Sequence, residues 1–161
     1  MLLYHGGTEI VEKPEVRQAN RPVDFGDGFY TTSSLEQASK FAKIRAKFKN
    51  VPIGIVNVFE FDEKAAEGYK VLQFECVDES WFDFVVSCRR GGKEFQKFDL
   101  ISGPVANDNV FRTLDFYEAG VYSKSQAMEH LLARRLDNQF VFLNNALITS
   151  LEFIKYIEVK R

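Results

Sequence analysis

The chain mixes short apolar runs that suit strands with longer stretches in which apolar residues recur at helical spacing. Runs rich in β-branched and aromatic residues predict strands at 2–5, 53–61, 70–75, 98–103, 139–143 and 151–159. Helical spacing predicts helices at 34–49, from Asp78 through Cys88, near 113–119, and from Ser123 or Ser125 to about Leu136. Because strands are dispersed among helices of different lengths without regular alternation, the pattern favours an α+β fold over a doubly wound parallel sheet.

The helix at 34–49 has the clearest local pattern. Ser33 and Glu36 match a capping box. The residues that then follow a helical period are Leu35, Ala38, Phe41, Ala42, Ile44, Arg45 and Phe48. The predicted outward face carries Lys40, Lys43, Lys47 and Lys49. This face is either a solvated surface or a contact for an acidic partner.

Residues 11–28 are polar and rich in turn formers, which predicts a long loop that ends in the sequence FGDGFY. Loops of this length are uncommon inside compact domains unless they cover a site. We therefore expect a ligand site beside this loop.

Composition restricts the class of protein. A chain of 161 residues without repeats or a linker is expected to form one domain, 1–161. No window is apolar enough for a membrane span, and the start MLLYHGG lacks a secretory pattern, so a cytoplasmic protein without membrane contact is expected. The net charge of −2 gives no global attraction to nucleic acid. Cys76 and Cys88 are expected to be reduced thiols and do not form a metal motif.

The first candidate for chemistry is His5-Gly6 at the end of the opening strand. An imidazole at this point can exchange a hydrogen bond with a ribose hydroxyl, and the adjacent glycine lets a planar amide approach the backbone. The alternative is an ordinary strand-end histidine followed by a flexible turn.

The second and third candidates are aromatic and amide side chains further along the chain. Phe29 and Tyr30 are expected to point to opposite sides of an extended segment, with Tyr30 facing a cleft. Phe41 on the following helix is placed to form the opposite wall, with the small Ala38 one turn earlier leaving room for a flat ring. Gln139 can present its amide oxygen to a sugar hydroxyl. Core packing, and for Gln139 backbone capping, are the alternatives.

Three separated segments together resemble one protein family. LYHGG and FGDGFYTTSSLEQASKFA resemble the His-Gly strand and the loop-helix of the diphtheria-toxin and poly(ADP-ribose) polymerase branch of ADP-ribosyltransferases. NQFVFLNNALITSLEFIKYIEV is similar to the third motif of that branch. WFDFVVSCRR and FDLISGPVANDNV resemble an uncharacterised, toxin-like bacterial family related to these transferases. The resemblance implies split antiparallel β-sheets with flanking helices, NAD as substrate, and a toxin of a toxin–antitoxin pair with a small antitoxin protein as partner.

The resemblance also implies residue roles. His5 matches the histidine that holds the adenosine ribose, and Gly6 matches the glycine whose backbone pairs with the nicotinamide carboxamide. Tyr30 matches the tyrosine that stacks on the nicotinamide ring. Phe41 occupies the place of a second stacking tyrosine, and Ala38 replaces a serine that helps to bind the amide.

The departure from the family pattern is Gln139, which stands where the polymerases have a catalytic glutamate. An amide can orient the ribose, but it carries no charge and is not a general base. Single ADP-ribose transfer to a protein or nucleic acid is therefore expected, with Asp137 as a substitute acid. Arg21 is either a pyrophosphate ligand or an ordinary solvated loop charge. The alternatives are a catalytically weak module that binds NAD or ADP-ribose, and an NAD glycohydrolase.

Overall fold

The structure, a computed structural model, describes residues 1–19, 23–105, 108–132 and 137–161. Its strands are β1 Leu2–Gly7, β2 Phe29–Thr32, β3 Ile53–Glu60, β4 Val71–Gln73, β5 Leu100–Pro104, β6 Asn138–Phe142 and β7 Glu152–Lys160. Its helices are α1 Leu35–Lys49, α2 Glu79–Arg89, α3 Asp108–Glu118, α4 Lys124–Leu132 and α5 Asn145–Ile148. Short 3₁₀ turns lie at Glu63–Ala66 and Glu94–Lys97. The predicted α+β class is confirmed.

Two local predictions need adjustment: the cap of α1, and the start of α3, which lies at Asp108 and not near 113. The cap of α1 is Ser34, one residue after the predicted Ser33, and its hydroxyl accepts from the Gln37 backbone N–H. The two 3₁₀ turns were not predicted from the pattern, since each is only four residues long. The end predicted for α4, near Leu136, lies outside the described residues.

The seven strands form one sheet in the order β4-β5-β6-β2-β1-β3-β7. Its pairings are antiparallel, except that β4 and β5 run parallel. β1 pairs with β3 over six positions, whereas the described pairing between β1 and β2 consists of Tyr4 opposite Thr32 alone. The sheet is therefore continuous but narrows to one residue pair at this point, which we call the β1–β2 junction.

Helix α1 packs on the sheet through its smallest side chains. Its buried residues are Ala38, Ala42 and Ala46, which lie on one face. They pack opposite two glycines: a Cβ added to Gly6 would lie 2.2 Å from the Ala38 carbonyl oxygen, and one added to Gly54 would lie 2.6 Å from that of Ala42. The close approach of helix and strands leaves room only for alanine on this face. The larger apolar residues of the predicted period are therefore exposed: Phe41, Ile44 and Phe48.

The two faces of the sheet carry separate aromatic cores. On the face of the sheet that helices α1 to α4 cover, Trp81 and Phe82 are fully buried in a cluster that includes Val141 of β6. On the opposite face, Phe29 and Phe59 belong to a second cluster that spans both sides of the β1–β2 junction. No helix within the described ranges is long and apolar enough to cross a membrane.

Candidate functional site

His5 lies at the β1–β2 junction, one residue after Tyr4, the described position at which β1 pairs with β2. Its Nδ1 is 2.7 Å from the carbonyl oxygen of Tyr30. Because a carbonyl oxygen only accepts, Nδ1 carries the proton and donates. The ring stacks on Phe29 with centroids 4.5 Å apart and an interplanar angle of 26°.

The charge state of His5 follows from its surroundings. Burial lowers the pKa of the imidazole, and Arg17 and Arg45 lower it further, while the bond to the Tyr30 carbonyl raises it without reversing the shift. The ring is therefore neutral at neutral pH. With Nδ1 as donor, Nε2 is left as a hydrogen-bond acceptor.

Gly6 and Ala38 are brought together by the fold as direct neighbours. Ala38 is buried over Gly6, with its carbonyl at the position that a side chain on Gly6 would need. The packing explains why a glycine is required here. Gly6 lies beyond the single pair that joins β1 to β2, and it pairs with Val56 on the β3 side.

Tyr30 lies with its ring on the opposite face of the sheet from the His5 ring. It pairs with Val141 and packs on the cluster of that face, whereas Phe29 and His5 belong to the other face. The Tyr30 hydroxyl donates to the Gly26 carbonyl at 2.7 Å and accepts from the Phe25 N–H at 3.2 Å. Burial, with the Asp24 carboxylate, raises the pKa of this phenol well above its usual range. The phenol is thus a neutral group whose hydroxyl is already engaged.

Phe41 is 46% exposed on α1. The described residues include no ring contact between Phe41 and Tyr30. Tyr30 and Phe41, the two predicted walls of a nicotinamide slot, therefore lie on the same face of the sheet but do not pack against each other.

Gln139 is more buried than expected for a polar strand entry. Only 6% of it is exposed, and it lies in the sheet between Thr32 of β2 and Gly103 of β5. Its Nε2 donates to the Pro104 carbonyl at 3.4 Å, a long bond. Asp137, the proposed substitute acid, is exposed and just precedes β6. The predicted pyrophosphate ligand Arg21 lies outside the described residues.

Asn57 is a polar residue of this region that the sequence reasoning missed. It is fully buried in β3, directly opposite His5. Its Oδ1 accepts from the Val11 N–H at 2.8 Å, and its Nδ2 donates to the Glu9 carbonyl at 3.0 Å. The available signal was a lone amide within the apolar run IGIVNVFEF.

Residues 8–19, which we call the strap, cross the face of the sheet that carries the His5 ring. Asn57 holds the strap near its start, and Asn145 accepts from the Val16 N–H at 2.9 Å. Asp27 accepts from the Ala19 N–H at 2.8 Å. The predicted long loop therefore does cover the region of His5, through backbone bonds to three polar side chains.

A separate groove of about 420 Å³ lies on α2 and α3, and it does not include His5, Tyr30 or Gln139. Its lining residues are Asp83, Val86, Ser87, Arg90, Gly92 and Tyr117. No cluster of three or more potential metal ligands occurs among the residues that the structure describes.

These features define an α+β domain whose neutral histidine lies where its sheet is narrowest. Residues 1–153 match the model of a family described as "Protein of unknown function (DUF3990)". The chain belongs to this family, since the match covers nearly its whole length. Comparison with curated proteins gives no match. Comparison with solved structures gives none either.

Proposed function

We propose that the chain is an NAD-dependent mono-ADP-ribosyltransferase. The observation that carries the proposal is the His5 imidazole at the β1–β2 junction, neutral and with Nδ1 bound to the Tyr30 carbonyl. This arrangement leaves Nε2 as an acceptor for a donating hydroxyl, such as that of a ribose. The three-segment resemblance supports the same assignment, since its first two segments contain these two residues.

The other NAD contacts follow from the same arrangement. Tyr30 would stack on the nicotinamide through its ring face, because its hydroxyl is occupied by the preceding loop. Gly6 would offer its backbone to the carboxamide, and Phe41 its exposed ring as the second wall. Since the rings of His5 and Tyr30 lie on opposite faces, a dinucleotide held by both would have to cross the sheet beyond the Tyr4–Thr32 pair, where the described residues of β1 and β2 are no longer paired.

The proposed reaction breaks the bond between nicotinamide and C1′ of the ribose and joins C1′ to a nucleophile on the target. Nicotinamide leaves as a neutral molecule, and the nucleophile releases its proton to solvent or to a base of the target. Positive charge develops on the ribose, so a neutral amide at position 139 stabilises it less than a carboxylate would. One such weakened contact costs roughly 10²–10³ in rate. Single transfer is favoured over polymer formation, because an amide does not activate an acceptor hydroxyl.

The test combines NAD binding and transfer by the purified chain. Calorimetry measures binding of NAD, and incubation with labelled NAD and bacterial lysate measures label in macromolecules and free nicotinamide. We expect label that His5→Ala abolishes and that Tyr156→Ala, an exposed change on β7, leaves unchanged. Absence of NAD binding by the folded chain overturns the proposal.

A second candidate, a module that binds NAD or ADP-ribose with little chemistry, is favoured by the burial of Gln139. Binding without label or nicotinamide would identify it, and nicotinamide release without label would identify a glycohydrolase. Gln139→Glu separates the cases further: a large gain from zero activity supports the degenerate module. Loss of an existing activity shows that the amide is the working group, provided that thermal unfolding confirms the variant is folded.

The proposal includes a role as a cytoplasmic toxin neutralised by a small antitoxin protein, which is supported by the resemblance alone. Induced expression in bacterial cells tests it. Growth arrest by the native chain and normal growth with equal amounts of His5→Ala are expected. Equal growth in the two cultures contradicts a toxin that acts through this site.

A further inference from the structure

Three large apolar side chains of α1 lie exposed on one flank of the helix. Phe41 is 46% exposed, Ile44 57% and Phe48 83%. Their spacing of three and four residues places them in one row, which we call the α1 stripe. The row spans about 10 Å, two helical turns. The buried alanines of α1 lie on a different side of the helix, so the stripe takes no part in packing α1 on the sheet.

Positive charge borders the α1 stripe on both sides. At about 100° per residue, Arg45 lies on one side of the row, and Lys40 and Lys47 lie on the other. Lys40 pairs with Glu36 at 2.6 Å. Arg45 and Lys47 have no carboxylate within 4.0 Å in the described part of the chain. The surface is therefore apolar in the middle and cationic at both borders, in a chain of net charge −2.

We propose that the α1 stripe binds an acidic amphipathic helix of a partner protein. The partner helix would present apolar residues at i, i+3 and i+7 to the stripe and Asp or Glu on either side, opposite Arg45 and Lys47. The apolar row supplies contact area, and charge complementarity fixes the choice of partner and the orientation. This inference does not rest on the proposed NAD chemistry, although Phe41 belongs to both surfaces.

Two other occupants fit less well. A second copy of the chain, related by a two-fold axis, would bring the same cations of both copies together. A single-stranded nucleic acid would use Phe41 and Phe48 for base stacking, but the middle of the row is the aliphatic Ile44, which provides no aromatic face. Spacing over two turns with an aliphatic centre is the pattern of a helix contact.

The experiment uses the full chain and three probes. The first is a labelled synthetic peptide of about 18 residues, long enough to be helical, with Leu at i, i+3 and i+7 and Glu at the flanking positions. The second has Lys in place of each Glu, and the third is oligouridylate. Fluorescence anisotropy measures binding, and analytical ultracentrifugation measures self-association.

We expect the acidic peptide to bind, and we expect its affinity to fall as the salt concentration is raised. Ile44→Ser should weaken it at least about tenfold, whereas Ile154→Ser, a matched change at 47% exposure on β7, should not. Arg45→Glu with Lys47→Glu should weaken the acidic peptide and strengthen the lysine peptide. Lys43→Glu, further round the helix, is the charge control.

Several results overturn the proposal. These are no binding of the acidic peptide, equal binding of the two peptides, or equal loss with Ile44→Ser and Ile154→Ser. Binding of oligouridylate alone that Ile44→Ser abolishes would assign the stripe to nucleic acid. A dimer that Ile44→Ser dissociates would assign it to self-association. Because all the substituted side chains are exposed, unchanged thermal unfolding is expected to show that each variant is folded.

Discussion

Replacing Gly6 with alanine tests the contact that sets the distance between α1 and the sheet. The added Cβ would lie 2.2 Å from the carbonyl oxygen of Ala38 and 3.1 Å from the backbone nitrogen of Ala42. Both neighbours are backbone atoms of a helix, so they cannot move aside as a flexible side chain would. The helix as a whole has to shift, which also loosens the buried alanine contacts.

The size of the effect follows from the overpacking involved. Forcing an extra methyl into a packed contact typically costs about 1–3 kcal/mol, and we expect the upper end because the opposing group is fixed. A loss of about 3 kcal/mol lowers the midpoint of thermal unfolding by roughly 6–12 °C in a chain of this size. Gly7→Ala is the matched control, since its Cβ would meet only the His5 ring, at 3.6 Å from Nε2 and 3.9 Å from Cδ2, which are ordinary contacts. Its effect should stay within about 1 kcal/mol.

Circular dichroism on heating and urea titration measure both variants. Adding Ala38→Gly to Gly6→Ala should give no recovery, because the clash is with a carbonyl and not with a methyl group. An unchanged midpoint for Gly6→Ala would refute the reasoning. Loss of NAD binding at full stability would show instead that the glycine serves the ligand alone.

Three further changes probe the site. Burial lowers the pKa of His5 below its usual 6.5, so the unfolded chain binds the proton more readily than the folded chain. The stability of the fold should therefore decrease as the pH drops below about 6.5. The difference between the thermal midpoints at about pH 8 and about pH 5 should be smaller in His5→Gln than in the native chain, and equal differences would contradict this. Tyr30→Phe removes both hydroxyl hydrogen bonds and should cost about 1–3 kcal/mol in urea unfolding; an unchanged midpoint would show that they contribute nothing. Asn57→Ala frees the start of the strap, so mass spectrometry after brief proteolysis should find new cuts within residues 8–19, and an unaltered pattern would count against this role.

The elements of the fold were largely predictable, because each has a local signal. The strand at Ile53–Glu60 is a run of β-branched and aromatic residues, and Asp78 caps α2 as its position indicated. The partners of the strands were not predictable in this way. The parallel pairing of Val71–Gln73 with Leu100–Pro104 depends on long-range packing that no local pattern expresses.

The same limit applies to the buried face of α1. Helical spacing alone grouped Phe41, Ile44 and Phe48 with the alanines of α1 in one apolar period. The structure buries only alanines there, because Gly6 and Gly54 on the strands bring the helix too close for larger side chains. The relevant glycines lie far away in sequence from one another.

For the candidate site, the sequence identified the neighbourhood better than the orientation of each side chain. His5 and Tyr30 do meet, but through an imidazole and a backbone carbonyl, a bond that depends on how two strands diverge. The burial of Gln139 depends on having strands on both sides, which the chain order does not reveal. Their proposed roles toward NAD stay predictions.

The β1–β2 junction, with its single described residue pair, is the weakest backbone connection in the sheet. Each half of the sheet is held together by several backbone pairings. Between the halves, backbone N–H groups of the strap donate to a side-chain amide on either side, Asn57 of β3 and Asn145 of α5. Separation at His5 would break few backbone hydrogen bonds, but it would also pull Phe29 of β2 away from Phe59 of β3 in the buried aromatic cluster. The two halves of the sheet are thus joined more by side-chain packing and by the strap than by the backbone ladder.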